Sequence, residues 1–496
     1  MTQEMSRQQL AAPESWANFI DGRWAEAADG RTFERRDPFD QTLAGTYADS
    51  SEVDVERATV AARAAFDSGP WPRMSASERA AVLGRAAKLL RERATSIASM
   101  MTREVGQPGQ LGAVAEAADH LEYFAGLAVS RRDEAVTGQH ADAIGLVAKE
   151  PVGVVGALTS WNVPLSPAYK SCPGVAVGCS VVVKPGHQAS GGTLELARAL
   201  HDAGLPDGVF NVVTGAADNG AVAGRALAGS PRVDMVTFTG SSATGRAVMR
   251  AASDNLSKVS LELGGKSPHV VFADVPSIDR AAAAAAKGFV RLAGQSCQAG
   301  SRLLLHEDIK AEFLERLLEH VAQTRIGDPF DSKTTCGPLV SAEQLERVSA
   351  HAESGKRTSR LLVGGERPDE DDLASGFFFQ PTVFDEVPAD AQIAQEEIFG
   401  PVLAVLSFRD VDEAIALSNR TAYGLAAGCW SADLSTAMRF ARGVRAGIVW
   451  INGFRDDSVL KQMPMGGYKQ SGIGRERGPE GMEAFLETKS VMIKSV

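Results

Sequence analysis

Met235-Val236-Thr237-Phe238-Thr239, followed by Gly240-Ser241-Ser242-Ala243-Thr244-Gly245, is the stretch that decides the fold. Five residues rich in β-branched and aromatic side chains read as a buried strand, and the small polar residues after them read as a turn opening a helix. The same unit recurs on both sides. Residues 152–159, 181–184, 209–214 and 258–263 read as further short apolar strands, with helical stretches at 191–202 and 217–228 between them. Such alternation implies a mostly parallel sheet with covered faces, in which ligands bind at the carboxyl ends of the strands. A second series runs from 269 to 449. Its helices fall at 278–292, 309–325, 342–353, 411–419 and 434–444, and its strands at 270–272, 302–306, 361–364, 403–408, 427–430 and 447–451. The expected fold class is therefore α/β, with two α/β domains.

Upstream, residues 19–24 and 36–41 read as short strands and 52–66 as a helix. Residues 77–104 read as a long helix or helix pair, and 110–130 as another helix. Residues 131–149 turn polar and irregular, as expected of a hairpin or arm leaving the domain body. A chain of 496 residues is too long for one ordinary core. Its net charge of −11 argues against nucleic acid and anionic membrane surfaces as partners. Residues 1–16 lack an apolar signal-peptide core, and no apolar run reaches the about 18 residues of a membrane span. Cys172, Cys179, Cys297, Cys336 and Cys429 are odd in number and scattered, which fits reduced thiols in the cytoplasm. The eight histidines form no ligand cluster, so no metal site is expected.

Two motifs carry chemistry. Gly294-Gln295-Ser296-Cys297 places one thiol in a small, polar turn after an alanine-rich helix, and Leu261-Glu262-Leu263-Gly264-Gly265-Lys266 sets a carboxylate between two leucines. A thiol and a semi-buried carboxylate are the two parts needed for covalent catalysis followed by water attack. Each has a plainer reading: most free cysteines fill core slots, and Glu262 could be a helix cap or an ion-pair partner. Lys184, ending the strand before Pro185, is either a rim charge or a ribose or phosphate contact. Asn162, in Ser160-Trp161-Asn162, is either a turn residue or an amide aimed at an oxyanion. Gly240-Ser241 at a helix start favours phosphate, but it is neither GxGxxG nor a P-loop.

The order of these motifs, continued by Glu396-Glu397-Ile398-Phe399-Gly400-Pro401, Pro464-Met465-Gly466-Gly467-Tyr468-Lys469 and Ser471-Gly472-Ile473-Gly474-Arg475-Glu476, resembles the NAD(P)-dependent aldehyde dehydrogenase superfamily. The likeness runs from Phe19 to the C-terminus. It implies Rossmann-like cofactor-binding and catalytic domains plus a small β oligomerisation arm. The implied division is residues 1–128 and 152–262 for cofactor binding, 129–151 for the arm, 263–477 for catalysis and 478–496 for a C-terminal oligomerisation segment. It also implies a homo-oligomer, dimer or tetramer.

By the same resemblance Cys297 is the nucleophile, Asn162 the oxyanion donor and Glu262 the base for thioester hydrolysis, with Lys170 and Glu476 in proton relay. Lys184 faces the adenosine ribose, Ser241 the pyrophosphate, Glu397 and Phe399 the nicotinamide ribose, and Gln344 a further ribose contact. Trp161, His187, Gly240, Gly245, Leu263 and Gly264 complete the implied cofactor site.

Three departures bear on specificity. His187 stands where many relatives have a glutamate that repels a 2′-phosphate, leaving NAD or NADP as cofactor with NAD favoured. Ser160 replaces the usual proline before Trp-Asn. Met465 replaces a frequent aromatic, after a long polar loop at 453–463. The implied substrate is a small-molecule aldehyde with a medium-sized apolar body, aliphatic, terpenoid or aromatic. Arg455 keeps a carboxylated semialdehyde in play. The competing readings are a CoA-acylating dehydrogenase, a non-catalytic relative and a cofactor-free cysteine hydrolase.

Overall fold

The computed structural model describes residues 14–139, 142–455 and 460–494. Residues 1–13, 140–141 within the expected arm, the 456–459 part of the long polar loop and 495–496 of the tail lie outside the described residues.

Two mostly parallel sheets organise the chain. The first has eight strands, in the order Gly472–Ile473, Lys258–Glu262, Met235–Thr239, Val154–Leu158, Ser180–Lys184, Phe210–Val212, Asn18–Ile20 and Arg23–Ala25. Its five central strands are parallel, and short antiparallel pieces close both edges. The second has seven, in the order Arg360–Val363, Thr382–Asp385, Val402–Phe408, Arg302–His306, Pro268–Val271, Ala426–Trp430 and Ile448–Ile451. Apolar runs such as Val181-Val182-Val183 and Leu303-Leu304-Leu305 are fully buried, as strands sandwiched between helix layers must be. The apolar face of helix Ala76–Glu92 (Val82, Leu83, Ala86, Ala87 and Leu90) packs into one core, and that of Ile278–Val290 (Ala281, Ala282, Ala285 and Phe289) into another.

The register of the first sheet brings its motifs to one level. Glu262 pairs with Thr239, Phe238 with Leu158, and Leu158 with Lys184. The carboxyl ends of four strands therefore present Glu262, Gly240, Ser160 and Lys184 along one edge. Leu263 N–H donates to Ser471 O at 2.9 Å, which ties that edge to the chain's last quarter.

Several elements differ from expectation, among them a three-stranded sheet of Glu14–Trp16, Leu43–Ala48 and Thr32–Arg36. Residues 36–41 are not a strand of their own: Arg36 ends strand Thr32–Arg36 and 37–41 turn, where Asp37 accepts from Phe39 N–H at 2.9 Å, Asp40 accepts from Thr42 N–H at 3.0 Å, and Gln41 takes φ 63°. Paired Asx turns of this kind outcompete a sheet ladder. Thr382–Asp385, four buried residues between Arg360–Val363 and Val402–Phe408 in the second sheet, is a strand the pattern did not signal. The helix expected to reach 292 stops at Val290, because Leu292, Ala293 and Gly294 all take positive φ (58°, 52° and 71°).

Glu134–Val136, Ala143–Pro151 and Leu486–Lys494 form a separate antiparallel sheet, with Leu146 opposite Val491 and Ile144 opposite Ile493. Helix Gly478–Glu483 precedes its last strand and packs against Cys172–Val177 in the body. No helix among the described residues is long and apolar enough to cross a membrane.

Candidate active site

Cys297 follows the left-handed turn, and the polar residues before it are folded inward. Gln295 is fully buried: its Oε1 accepts from Val340 N–H at 2.9 Å, its Nε2 donates to Leu292 O at 3.1 Å, and its own carbonyl accepts from Asn162 Nδ2 at 3.0 Å. The loop after Glu262 packs on the same turn. A Cβ on Gly265 would lie 2.1 Å from Cys297 O, so only glycine permits this approach. The two motifs, far apart in sequence, thus share one backbone contact.

Cys297 is half-buried, whereas Cys172, Cys179, Cys336 and Cys429 are buried. Burial, then the charges of Glu397 and Glu262, pushes its thiol up to about 12, and Arg455 pulls the other way. Asn162, Cys297, Arg455, Met465, Tyr169 and Arg477 all line one cavity of 1060 Å³. Gln298 Nε2 donates to Met465 Sδ at 3.0 Å, fixing that wall.

Glu262, Lys170 and Glu476 lie behind this wall. Glu262 is 3% exposed at the end of its strand, and neither carboxylate oxygen has a hydrogen-bond partner among the described residues. Desolvation first, then the Glu476 charge, raises its pKa well above the usual carboxylate range. Glu476 is engaged elsewhere: it forms a buried ion pair with Lys170, whose ammonium also donates to Thr237 Oγ1 at 3.0 Å.

The residues implied for the cofactor lie along the carboxyl edge and on the facing domain. Ser241 caps helix Ser242–Ser253, its Oγ accepting from Thr244 N–H at 3.2 Å. Lys184 donates to Pro185 O at 2.8 Å, and burial brings its ammonium down to about 8. Burial and the neighbouring Lys184 bring His187 down to about 4, so it is neutral at pH 7. A Cβ on Gly245 would lie 2.6 Å from Leu263, so that helix packs closely on the strand end.

Opposite, Gly265 N–H donates to Glu397 Oε1 at 3.0 Å, and burial pushes Glu397 up to about 7. A Cβ on Gly264 would lie 2.5 Å from Glu397 Oε2, so this glycine makes the carboxylate's position possible. Phe399 takes φ 60° and meets Trp161 edge to face at 5.4 Å. Gln344 Nε2 donates to Ile398 O at 3.2 Å and Phe399 O at 2.8 Å, so its amide holds this loop. A helix N-terminus beside Gly240, an ammonium at a strand end, and a carboxylate facing them across a glycine cradle fit a dinucleotide.

Sequence reasoning gave no role to Gln295, Thr237 or Gln298, nor to the bond from Ser160 Oγ to Asn162 Oδ1 at 2.8 Å. Only the Gly-Gln-Ser-Cys spelling hinted at Gln295. The others are long-range or side-chain partners without a sequence signal.

Two α/β domains meeting over a half-buried thiol, with a dinucleotide-type edge beside it, define a two-domain dehydrogenase. The profile of the Aldehyde dehydrogenase family matches residues 24–491. Aldehyde dehydrogenase family 2 member C4 of Arabidopsis thaliana is 42% identical over 483 residues, 96% of this chain and 94% of that protein. The crystal structure of an NAD-dependent aldehyde dehydrogenase from Sinorhizobium meliloti superposes with TM-score 0.94 at 41% identity, covering 97% of this chain and 95% of that one. Betaine aldehyde dehydrogenase from Staphylococcus aureus, in complex with NAD+, gives TM-score 0.93 at 37% identity, covering 96% and 94%. The chain belongs to the aldehyde dehydrogenase family, and it is an NAD(P)-dependent oxidoreductase acting on the aldehyde group.

Proposed function

We propose that this enzyme oxidises a medium-sized aldehyde with an apolar body to the carboxylic acid, through a covalent acyl group on Cys297. The observation that carries the reading is the placement of three groups. Cys297 and Asn162 share the cavity wall, Asn162 is hydrogen-bonded to the cysteine loop, and a buried, unpartnered Glu262 lies close enough to bias the thiol.

The Cys297 sulfur attacks the carbonyl carbon and releases its proton to water in the cavity, giving a thiohemiacetal oxyanion. The developing oxyanion is met by an Asn162 amide N–H and the Cys297 backbone N–H. NAD or NADP, held by Lys184, Ser241, Glu397 and Phe399, supplies the hydride acceptor at its nicotinamide, and the oxidised carbon is left as a thioester. Glu262 then takes a proton from water, which attacks the thioester carbon and expels the thiolate. A base of raised pKa suits this step near neutral pH. The Lys170–Glu476 pair, whose charge acts on Glu262, carries the proton onward.

Val163, Tyr169, Leu292 and Met465 give the cavity apolar walls suited to an aliphatic, terpenoid or aromatic body. Arg455 on the same wall favours a second reading, an aldehyde with a distal carboxylate, and disfavours a quaternary ammonium head. Initial rates on a panel of neutral, ω-carboxylated and cationic aldehydes, with NAD and NADP in parallel, test this. A strong preference for ω-carboxylated aldehydes overturns the apolar reading, and release of acid only with coenzyme A overturns the hydrolytic one.

The paired apolar residues of the arm, Ile144, Leu146, Val491 and Ile493, are half-exposed on one face. They support its role as a subunit contact in a dimer or tetramer. Residues 152–262 with the N-terminal segment serve as the cofactor-binding domain and 263–477 as the catalytic one, in a reduced, cytoplasmic setting that suits five free thiols.

A further inference from the structure

We propose that Ser160 is a positioning residue for this reaction: its hydroxyl, together with the Gln295 carbonyl, holds the side-chain amide of Asn162 where it presents an N–H to the substrate oxygen. The inference rests on the reading of Asn162 as oxyanion donor. A terminal amide torsion is broad and two-fold, so nothing covalent decides which end of Asn162 faces the cysteine loop. The Gln295 carbonyl, which can only accept, decides it, and the Ser160 hydroxyl holds the amide there. Ser160 Oγ donates to Oδ1 at 2.8 Å, and Nδ2 donates to the Gln295 carbonyl at 3.0 Å. A flipped amide would set its oxygen against the Gln295 carbonyl oxygen, two acceptors facing each other.

The anchor on the cysteine side is rigid, since Gln295 is buried and its side chain is tied to Val340 and Leu292. Among the described residues the anchor on the strand side is Ser160, held at the sheet edge where Thr159 N–H donates to Lys184 O at 3.1 Å. One Nδ2 hydrogen is committed to Gln295. The second remains for the substrate oxygen, since Asn162 lines the cavity with Ser296 and Cys297. Donors already aimed at a developing charge cost no reorganisation during the reaction, which is where such groups gain their effect.

The test is a double-mutant cycle on the single-turnover rate of hydride transfer, using Ser160→Ala, Ser160→Thr, Asn162→Ala and the double variant Ser160→Ala/Asn162→Ala. Loss of one neutral hydrogen bond lowers the rate of Ser160→Ala about fivefold, while Ser160→Thr, which keeps the hydroxyl, returns it to near wild type. Loss of an oxyanion donor lowers the rate of Asn162→Ala about 100-fold or more. Because Ser160 acts only through Asn162, the double variant is no slower than Asn162→Ala alone. A wild-type rate in Ser160→Ala, or losses that multiply in the double variant, overturns the proposal. An undiminished rate in Asn162→Ala refutes the oxyanion assignment itself, and that failure is distinguishable from the other two.

Discussion

Replacing Glu262 with glutamine separates the two halves of the reaction. The carboxylate is buried without a hydrogen-bond donor of its own, and its near neighbour Glu476 is already committed to Lys170. Glu397, another carboxylate whose charge acts on the Cys297 thiol, is held by Gly265 N–H at 3.0 Å. Glutamine keeps the volume and removes the proton acceptor, so attack by Cys297 and hydride transfer proceed while water attack fails. A positioned general base is worth about 10²–10⁴ in rate, about 3–5 kcal/mol of barrier. In stopped flow, Glu262→Gln gives a first-turnover burst of reduced cofactor close to the enzyme concentration, then a steady rate lower by about two orders of magnitude or more.

Stability moves the other way. The folded pKa of Glu262 is raised above its ordinary 4.5, so its contribution to stability is present below pH 4.5 and lost as pH rises toward the folded value. Glu262→Gln therefore melts above wild type at pH 8, and the gap closes as the pH falls toward 4.5. Full steady-state turnover by the variant, or absence of any burst, refutes the role given to Glu262.

Glu397 obeys the same sign rule with a stated window. Burial takes it from 4.5 to about 7, a difference worth about 3 kcal/mol. Glu397→Gln removes a loss of stability that wild type incurs between those pH values, and it raises the KM for cofactor about tenfold as one charged contact is lost. Phe454 stacks on buried His269 at 4.5 Å and 5°; Phe454→Ala costs about 3–5 kcal/mol by thermal or denaturant melting and lowers kcat/KM through its neighbour Arg455. Val491→Asp with Ile493→Asp places two charges on the apolar face of the arm, and light scattering then reads a smaller assembly than wild type.

The sequence carried the architecture well, and the reasons are physical. Buried parallel strands such as Val181-Val182-Val183 are continuous apolar runs, and helix Gln110–Ser130 keeps its expected bounds. The arm's polar, irregular sequence likewise folds outside both domain sheets. What failed was local. Residues 36–41 have strand-like spacing, but two aspartates turn the backbone instead. Thr382–Asp385 is too short to show a period, and only its pairing with Arg360–Val363 and Val402–Phe408 makes it a strand.

At the site, motif order brought together the residues that the structure clusters, yet their environments were not legible. The residues before Cys297 look exposed by composition, but Gln295 is fully buried because all its polar groups find long-range partners. Glu262, which by itself could have been a cap or an ion-pair partner, is a strand end with no hydrogen-bond donor. Neither fact has a signature within a few residues of chain.

The central claim is that Cys297 carries the acyl group. Glu262→Gln mixed with aldehyde and cofactor, quenched in acid and digested, tests it by mass spectrometry. The account predicts that the peptide containing Cys297 gains the mass of the acyl group less one hydrogen, and that hydroxylamine removes it. An unmodified Cys297 peptide after a full burst, or the acyl mass on Cys172, Cys179, Cys336 or Cys429 instead, contradicts it.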